Sequence, residues 1–184
     1  SIEELVREIE KTNEDMRREI ERLSDENRRR LDKALEDIER RAREIKEKLE
    51  RVMKRLREKG VSEEVEERLR RLEKELKEVL DRLREIIKEL KDDNERLTKR
   101  IRDRSRETRE RLKRFLDEAR RDKDEKRVLD ELRKLLEDSK DELRRLLEEL
   151  RRHIKETDDT VRELLDRIRK IREELDDEVR RLEK

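Results

Sequence analysis

Apolar residues recur along this chain at steps of three and four from its first turn to its last. In the first third the inward positions run Ile2, Leu5, Ile9, Asn13, Met16, Ile20, Leu23, Asn27, Leu31, Ala34, Ile38, Ala42, Ile45, Leu49, Val52 and Leu56. From Ile2 to Leu56 is 54 residues in 15 steps, or 3.6 per step, and Val65 to Ala119 and Val128 to Leu182 repeat that count. A repeat of about 3.5 would impose a left-handed supercoil, whereas about 3.6 is the α-helix's own period. The pattern predicts long, nearly straight, untwisted helices.

Few residues interrupt this pattern. The one glycine lies in "REKGVSEEV", where Gly60 can take the left-handed conformation of a helix C-cap. Ser62 then stands as an N-cap, with Glu63 and Glu64 at the positive end of the next helix. A second lapse falls between Ala119 and Val128, where Asp122 and Glu125 have capping-box spacing; Ser1 and Glu4 repeat it at the start. The expected helices are 2–59, 62–121 and 124–183, with loops near 60–61 and 121–124, in one domain spanning 1–184. Sixteen layers of three need 48 inward residues, and 28% of the chain is hydrophobic, so one three-helix core absorbs nearly every apolar side chain.

Polar residues occupy part of the inward stripe. If the chain folds back at Gly60, a residue of the first helix faces one whose number makes the pair add to about 121, because short loops make antiparallel neighbours reflections of each other. Asn27 then faces Asn94, and Asn13 faces Thr108. A second reflection about the 123/124 junction brings Asn94 to His153, the only histidine, and Thr108 to Ser139. Ser24 with Thr98, Ser105 near Met16, and Thr157 or Thr160 extend the same layers. An unpaired buried amide or imidazole costs about 1 to 3 kcal/mol, whereas polar groups meeting in one layer satisfy each other only in the correct register. The structural polar network expected from the sequence is therefore Asn27, Asn94, His153, Asn13, Thr108 and Ser139.

Charge sharpens this picture more than composition does. Asp, Glu, Lys and Arg make up 64% of the residues, a content that without periodicity would signal disorder. Fifty-nine basic residues stand against 58 acidic ones, alternating at helical spacing, so no face is expected to gather the one-signed field that nucleic acid or anionic lipid requires. The basic runs "NRRRL" and "RRDKDEKR" carry no aromatic residue to stack on bases. No apolar run is long enough for a membrane span or a signal-peptide core, so a soluble chain of unknown compartment is expected. Its start at Ser1 fits a removed tag or ordinary processing.

Catalytic and cofactor chemistry find little footing. With one histidine and no cysteine, a tetrahedral metal site lacks ligands, and Glu149 stands four residues before His153 where a di-iron motif wants three. Ser139 lies 14 residues from His153 on the same helix, about 21 Å away, too far for a nucleophile and its base. The pairs Asp92–Asp93 and Asp158–Asp159 fall on wet faces where no pocket raises a carboxyl pKa. No enzyme, cofactor or metal is expected.

In its equal helices, constant period, Glu/Lys/Arg exterior, "KGVSEE" loop and aligned Asn27, Asn94 and His153, the chain resembles de novo designed, parametrically generated three-helix bundles with built-in hydrogen-bond networks. The resemblance implies an all-α, antiparallel up-down-up three-helix bundle, monomeric, with no natural ligand or required partner, serving as a scaffold. The second loop departs from that pattern by lacking glycine. The alternative is a helical interaction module: an oligomer subunit, a switch, a spacer, or one half of a pair with a designed partner chain. Spectrin repeats belong to the same length class but are shorter, supercoiled and usually anchored by tryptophan, which is absent here.

Overall fold

The computed structural model describes residues 1–60 and 62–183, the side chain of Glu183 excepted. Three helices account for nearly all of them: α1 (Ile2–Lys59), α2 (Glu63–Ala119) and α3 (Glu125–Glu183). All three pairs are in contact, giving an all-α three-helix bundle.

The first turn is built as its residues dictate. α1 ends on a basic turn containing Arg57 and Lys59, and Gly60 follows with φ of 68°, the left-handed conformation that a side chain resists. Val61, expected in this loop, lies outside the described residues. α2 opens on Glu63, Glu64 and Glu66, carboxylates at the positive end of the helix.

The second turn differs from expectation. α2 stops at Ala119, two residues early, and the chain tightens through bonds from the Arg121 N–H to Glu118 O (3.1 Å) and from the Asp122 N–H to Ala119 O (3.2 Å). Each spans three residues, the 3₁₀ way of ending a helix without a left-handed residue, and no non-glycine residue has positive φ among those described. The N-cap of α3 is Asp124, whose Oδ1 accepts the Arg127 N–H at 3.3 Å, rather than Asp122. Asp122 Oδ1 instead accepts the Asp124 N–H at 3.0 Å, holding the loop that leads into the cap.

The bundle divides into two compact units, each with a segment of every helix. Unit one is Ser1–Arg28 with Asp92–Lys155, and unit two is Arg29–Lys91 with Glu156–Lys184. Inside unit one, α1 and α2 run antiparallel, as the Asn13–Ser105 (3.1 Å), Glu21–Arg102 (3.1 Å) and Asn27–Asn94 (3.0 Å) pairs record; Lys140 reaches Glu8 (3.4 Å) and Arg100 reaches Glu149 (3.1 Å). Inside unit two α1 and α2 are again antiparallel, from Glu39–Arg84 (3.0 Å) and the Asp32–Lys91 pair, α1 and α3 are parallel, from Arg30–Asp158 (3.3 Å) and the Lys48–Asp176 pair, and Arg68 of α2 reaches Glu178 of α3 (3.7 Å).

The cores of the two units differ in kind. Unit two holds one continuous apolar cluster, including Leu31, Ile38, Leu49, Leu69, Leu83, Ile87, Leu164 and Leu175. Unit one holds two smaller clusters, one around Ile9, Leu112 and Leu132, the other around Ile20, Ile101 and Leu150. The inward stripe read from the sequence is buried through most of its length, although Met53 is buried where Val52 is only half-buried.

Candidate functional site: two buried polar layers

Among the described residues, eight of the nine buried polar side chains lie in unit one, the ninth being Thr157 in unit two. Six of those in unit one form two hydrogen-bonded groups on α1 and α2, and helix periodicity puts them there. Asn13, Ser24 and Asn27 follow one another at intervals of 11 and 3, whole numbers of turns to within a fraction, so they share the inward face with the leucines.

Ser24, Asn27, Asn94 and Thr98 compose the larger group. Thr98 Oγ1 donates to its own-helix carbonyl, Asn94 O, at 2.7 Å. A threonine has one hydroxyl proton, so at the 2.6 Å contact between Ser24 Oγ and Thr98 Oγ1 the serine is the donor. Ser24 Oγ accepts in turn from Asn94 Nδ2 at 3.2 Å, which also donates to Ser24 O at 3.1 Å. The bonds therefore close a directed ring, from Asn94 to Ser24 to Thr98 and back to Asn94. Because a carbonyl only accepts, the Asn94 amide cannot flip, and its Oδ1 must face Asn27, whose Nδ2 donates at 3.0 Å. Asn27 is 0% exposed, and its Oδ1 accepts no hydrogen bond from the described residues.

The smaller group is a reciprocal pair. Ser105 Oγ donates to Asn13 Oδ1 at 3.1 Å, while Asn13 Nδ2 donates to Ser105 O at 3.4 Å. Asn13 was expected to face Thr108; instead Thr108 Oγ1 donates to Arg104 O, four residues back on its own helix, at 3.1 Å. With its one donor used locally, Thr108 leaves the cross-helix role to Ser105, one turn away on the same stripe. Ser139 is buried, but none of these bonds runs to it.

His153 was expected in the same layer as Asn27 and Asn94. Its neighbours Leu150 and Ile154 pack in the cluster that contains Ile20, Leu23 and Leu97, so the turn bearing it lies beside this part of α1 and α2. The ring itself, with the Asn27 bond, is made by α1 and α2 residues alone, and His153 is half-buried. Ser24 and Thr98, read from the sequence only as extensions of the layer, are its working members.

Three carboxyls outside the polar layers are shifted from their ordinary range. A hydrogen bond from Arg17 holds the Glu14 carboxyl below its ordinary range, and one from Arg22 does the same for Glu19. Glu174 is raised, first by desolvation and then by the like charge of Glu75. None of these groups lies in either polar layer, whose members are neutral amides and hydroxyls. Such an arrangement can position and discriminate but offers no proton to transfer and no thiolate or carboxylate to bind a metal; among the described residues no three His, Cys, Asp or Glu side chains gather as a metal site. No described helix is long and apolar enough to cross a membrane. No protein-family model, curated protein or solved structure matches the chain.

Proposed function

We propose that this chain is a structural scaffold of the designed type it resembles, with untwisted helices, no required partner and no enzymatic activity, in which the polar layers of unit one specify the register of α1 against α2. The directed ring of Asn94, Ser24 and Thr98 carries this reading. Its members satisfy one another only when Ser24 stands opposite the turn from Asn94 to Thr98. A slip of one helical turn would leave buried donors and acceptors unpaired, at about 1 to 3 kcal/mol each. The continuous Leu and Ile core of unit two discriminates less, since a slipped leucine still meets a leucine.

The test replaces Ser24 by Ala, Thr98 by Val, and Asn27 and Asn94 by Leu in one variant. The scaffold reading expects equal or greater stability toward guanidinium chloride together with loss of a unique register. Register is read from spin-label distances between α1 and α2, sharp in the parent and multiple in the variant. A variant with one sharp distance equal to the parent's removes the role assigned to the layers. Sedimentation checks the monomer, expected at 23.1 kDa, and a dimer favours the interaction-module alternative.

A further inference from the structure

The neutral bookkeeping of the whole chain conceals a local excess in unit two. Between residues 39–46 of α1 and 70–84 of α2 lies an open groove of about 630 Å³. Six cations line it, Arg43, Lys46, Arg70, Lys74, Lys77 and Arg84, against two carboxylates, Glu39 and Glu73. Glu39 is already committed to Arg84 at 3.0 Å, and Arg70 pairs outside the groove with Glu66 at 3.1 Å. No ion pair within 4.0 Å engages Arg43, Lys46, Lys74 or Lys77 among the described residues. Alternation of sign along each helix, which led to the expectation of no one-signed face, does not prevent two helices from turning their basic positions toward the same furrow.

The floor of the furrow is apolar. Ala42 and Leu76 are buried there and Leu80 is half-buried, the alanine leaving depth where a leucine would fill it. α3 contributes no lining residue. An apolar strip flanked by cations on both helices is complementary to an apolar strip flanked by carboxylates. The α2 wall from Arg70 to Arg84 is about 21 Å long at 1.5 Å per residue, the length of four helical turns.

We propose that this groove docks an acidic amphipathic helix, presenting leucine-type residues to the Ala42–Leu76–Leu80 floor and Glu or Asp to Arg43 and Lys46 on one side and Lys74 and Lys77 on the other. Helix-in-groove recognition uses this combination of apolar anchors and flanking charge. A nucleic acid would gain nothing from the apolar floor and finds no aromatic residue among the lining groups. A planar lipid surface does not follow a concave furrow.

The probe is a fluorescein-labelled, end-capped peptide of about 18 residues, helical, with leucines at helical spacing and glutamates on both flanks; its control carries lysine for every glutamate. Anisotropy with the intact protein should show saturable binding of the glutamate peptide, weakened by raising NaCl, and none of the lysine peptide. The exposed pair Lys46→Glu with Lys74→Glu should weaken binding about tenfold or more, while Lys99→Glu with Lys113→Glu, outside the groove, should leave it within about twofold. Circular dichroism verifies that each variant remains helical. The proposal is overturned by failure of the glutamate peptide to saturate at about 1 mM protein, by equal binding of both peptides, or by equal losses from the two variant pairs. Binding of phosphatidylserine vesicles or polyphosphate where the peptide fails also overturns it.

Discussion

Replacing Asn94 by leucine exchanges a planar amide for a branched group with the same number of heavy atoms, so the perturbation is chemical more than steric. Three hydrogen bonds go: from Asn27 Nδ2 (3.0 Å), to Ser24 O (3.1 Å) and to Ser24 Oγ (3.2 Å). At about 1 kcal/mol net each, this is about 3 kcal/mol. The Asn27 amide, 0% exposed and already lacking a donor to its Oδ1, then has no partner for Nδ2 either, adding about 1 to 3 kcal/mol. Burying the leucine methyls returns about 2 kcal/mol, so Asn94→Leu should destabilise by about 2 to 4 kcal/mol. Asn27→Leu removes one bond and strands Asn94 Oδ1, but it also deletes the unsatisfied Asn27 Oδ1, so those two penalties cancel. What remains is about 1 kcal/mol lost against about 2 gained, a change between zero and a slight stabilisation. The double substitution leaves neither amide behind and should recover what Asn94→Leu loses. Guanidinium denaturation followed by circular dichroism at 222 nm gives all four corners of the cycle. Equal effects of the two single substitutions, within about 0.5 kcal/mol, would refute the hydrogen-bond directions assigned to the ring.

Further outcomes follow from the turns and the surface. Gly60→Ala should destabilise by about 1 to 2 kcal/mol purely through its φ of 68°, since an added Cβ meets nothing within 4 Å; Gly60→Asn should lose less, and denaturation midpoints compare the two. Asp124→Ala should lose about 1 kcal/mol as the N-cap of α3, and Asp122→Ala less, in the same assay. Glu174, with its folded pKa raised, binds its proton more tightly in the native state, so its carboxyl favours folding in acid and that contribution is lost as pH rises through the raised value. Glu174→Gln should therefore stabilise at neutral pH and change nothing below the ordinary carboxylate range. Glu14→Gln should act oppositely, weakening at neutral pH and converging with the parent as pH falls through the lowered value, both read from denaturation at several pH values.

The helices and the pairing of Asn27 with Asn94 were legible because both depend on periodicity and reflection, which constrain position along an axis. Reflection fixes height only to within a turn, and inside that turn local chemistry decides. Thr108 and Ser105 are both inward and one turn apart, but a threonine hydroxyl easily bonds the carbonyl four residues back, and Thr108 does so. Thr98 bonds back in the same way, to Asn94 O, yet its oxygen still accepts from Ser24, so the same habit closes a ring in one layer and removes a member from the other. The end of α2 was misplaced for a related reason. Without glycine the helix terminated through three-residue bonds, and the capping role passed to Asp124, which has the spacing of a capping box to Arg127 but an arginine where the box carries Glu or Gln. The basic groove was invisible because charge was counted along each helix, while the excess arises from two helices facing each other.

The uneven distribution of polar groups has its own logic. Apolar contact is nondirectional and roughly proportional to area, so the unit-two core supplies stability without choosing strongly between registers one turn apart. Hydrogen bonds are directional and penalise the wrong partner, but each amide placed inward displaces apolar area that would otherwise be buried. A chain that needs both gains most by concentrating the directional groups and leaving the rest dry. α1 is one uninterrupted helix, as is α2, so sliding either along its axis must break the Asn13–Ser105 and Asn27–Asn94 pairs, whatever apolar contacts it finds elsewhere. Two such layers, separated along α1 by the Ile20 cluster, are also harder to satisfy by accident than one. A slip that happened to repair one layer would have to repair the other with the same displacement, and their members are different: an amide with a serine in one, two amides with two hydroxyls in the other.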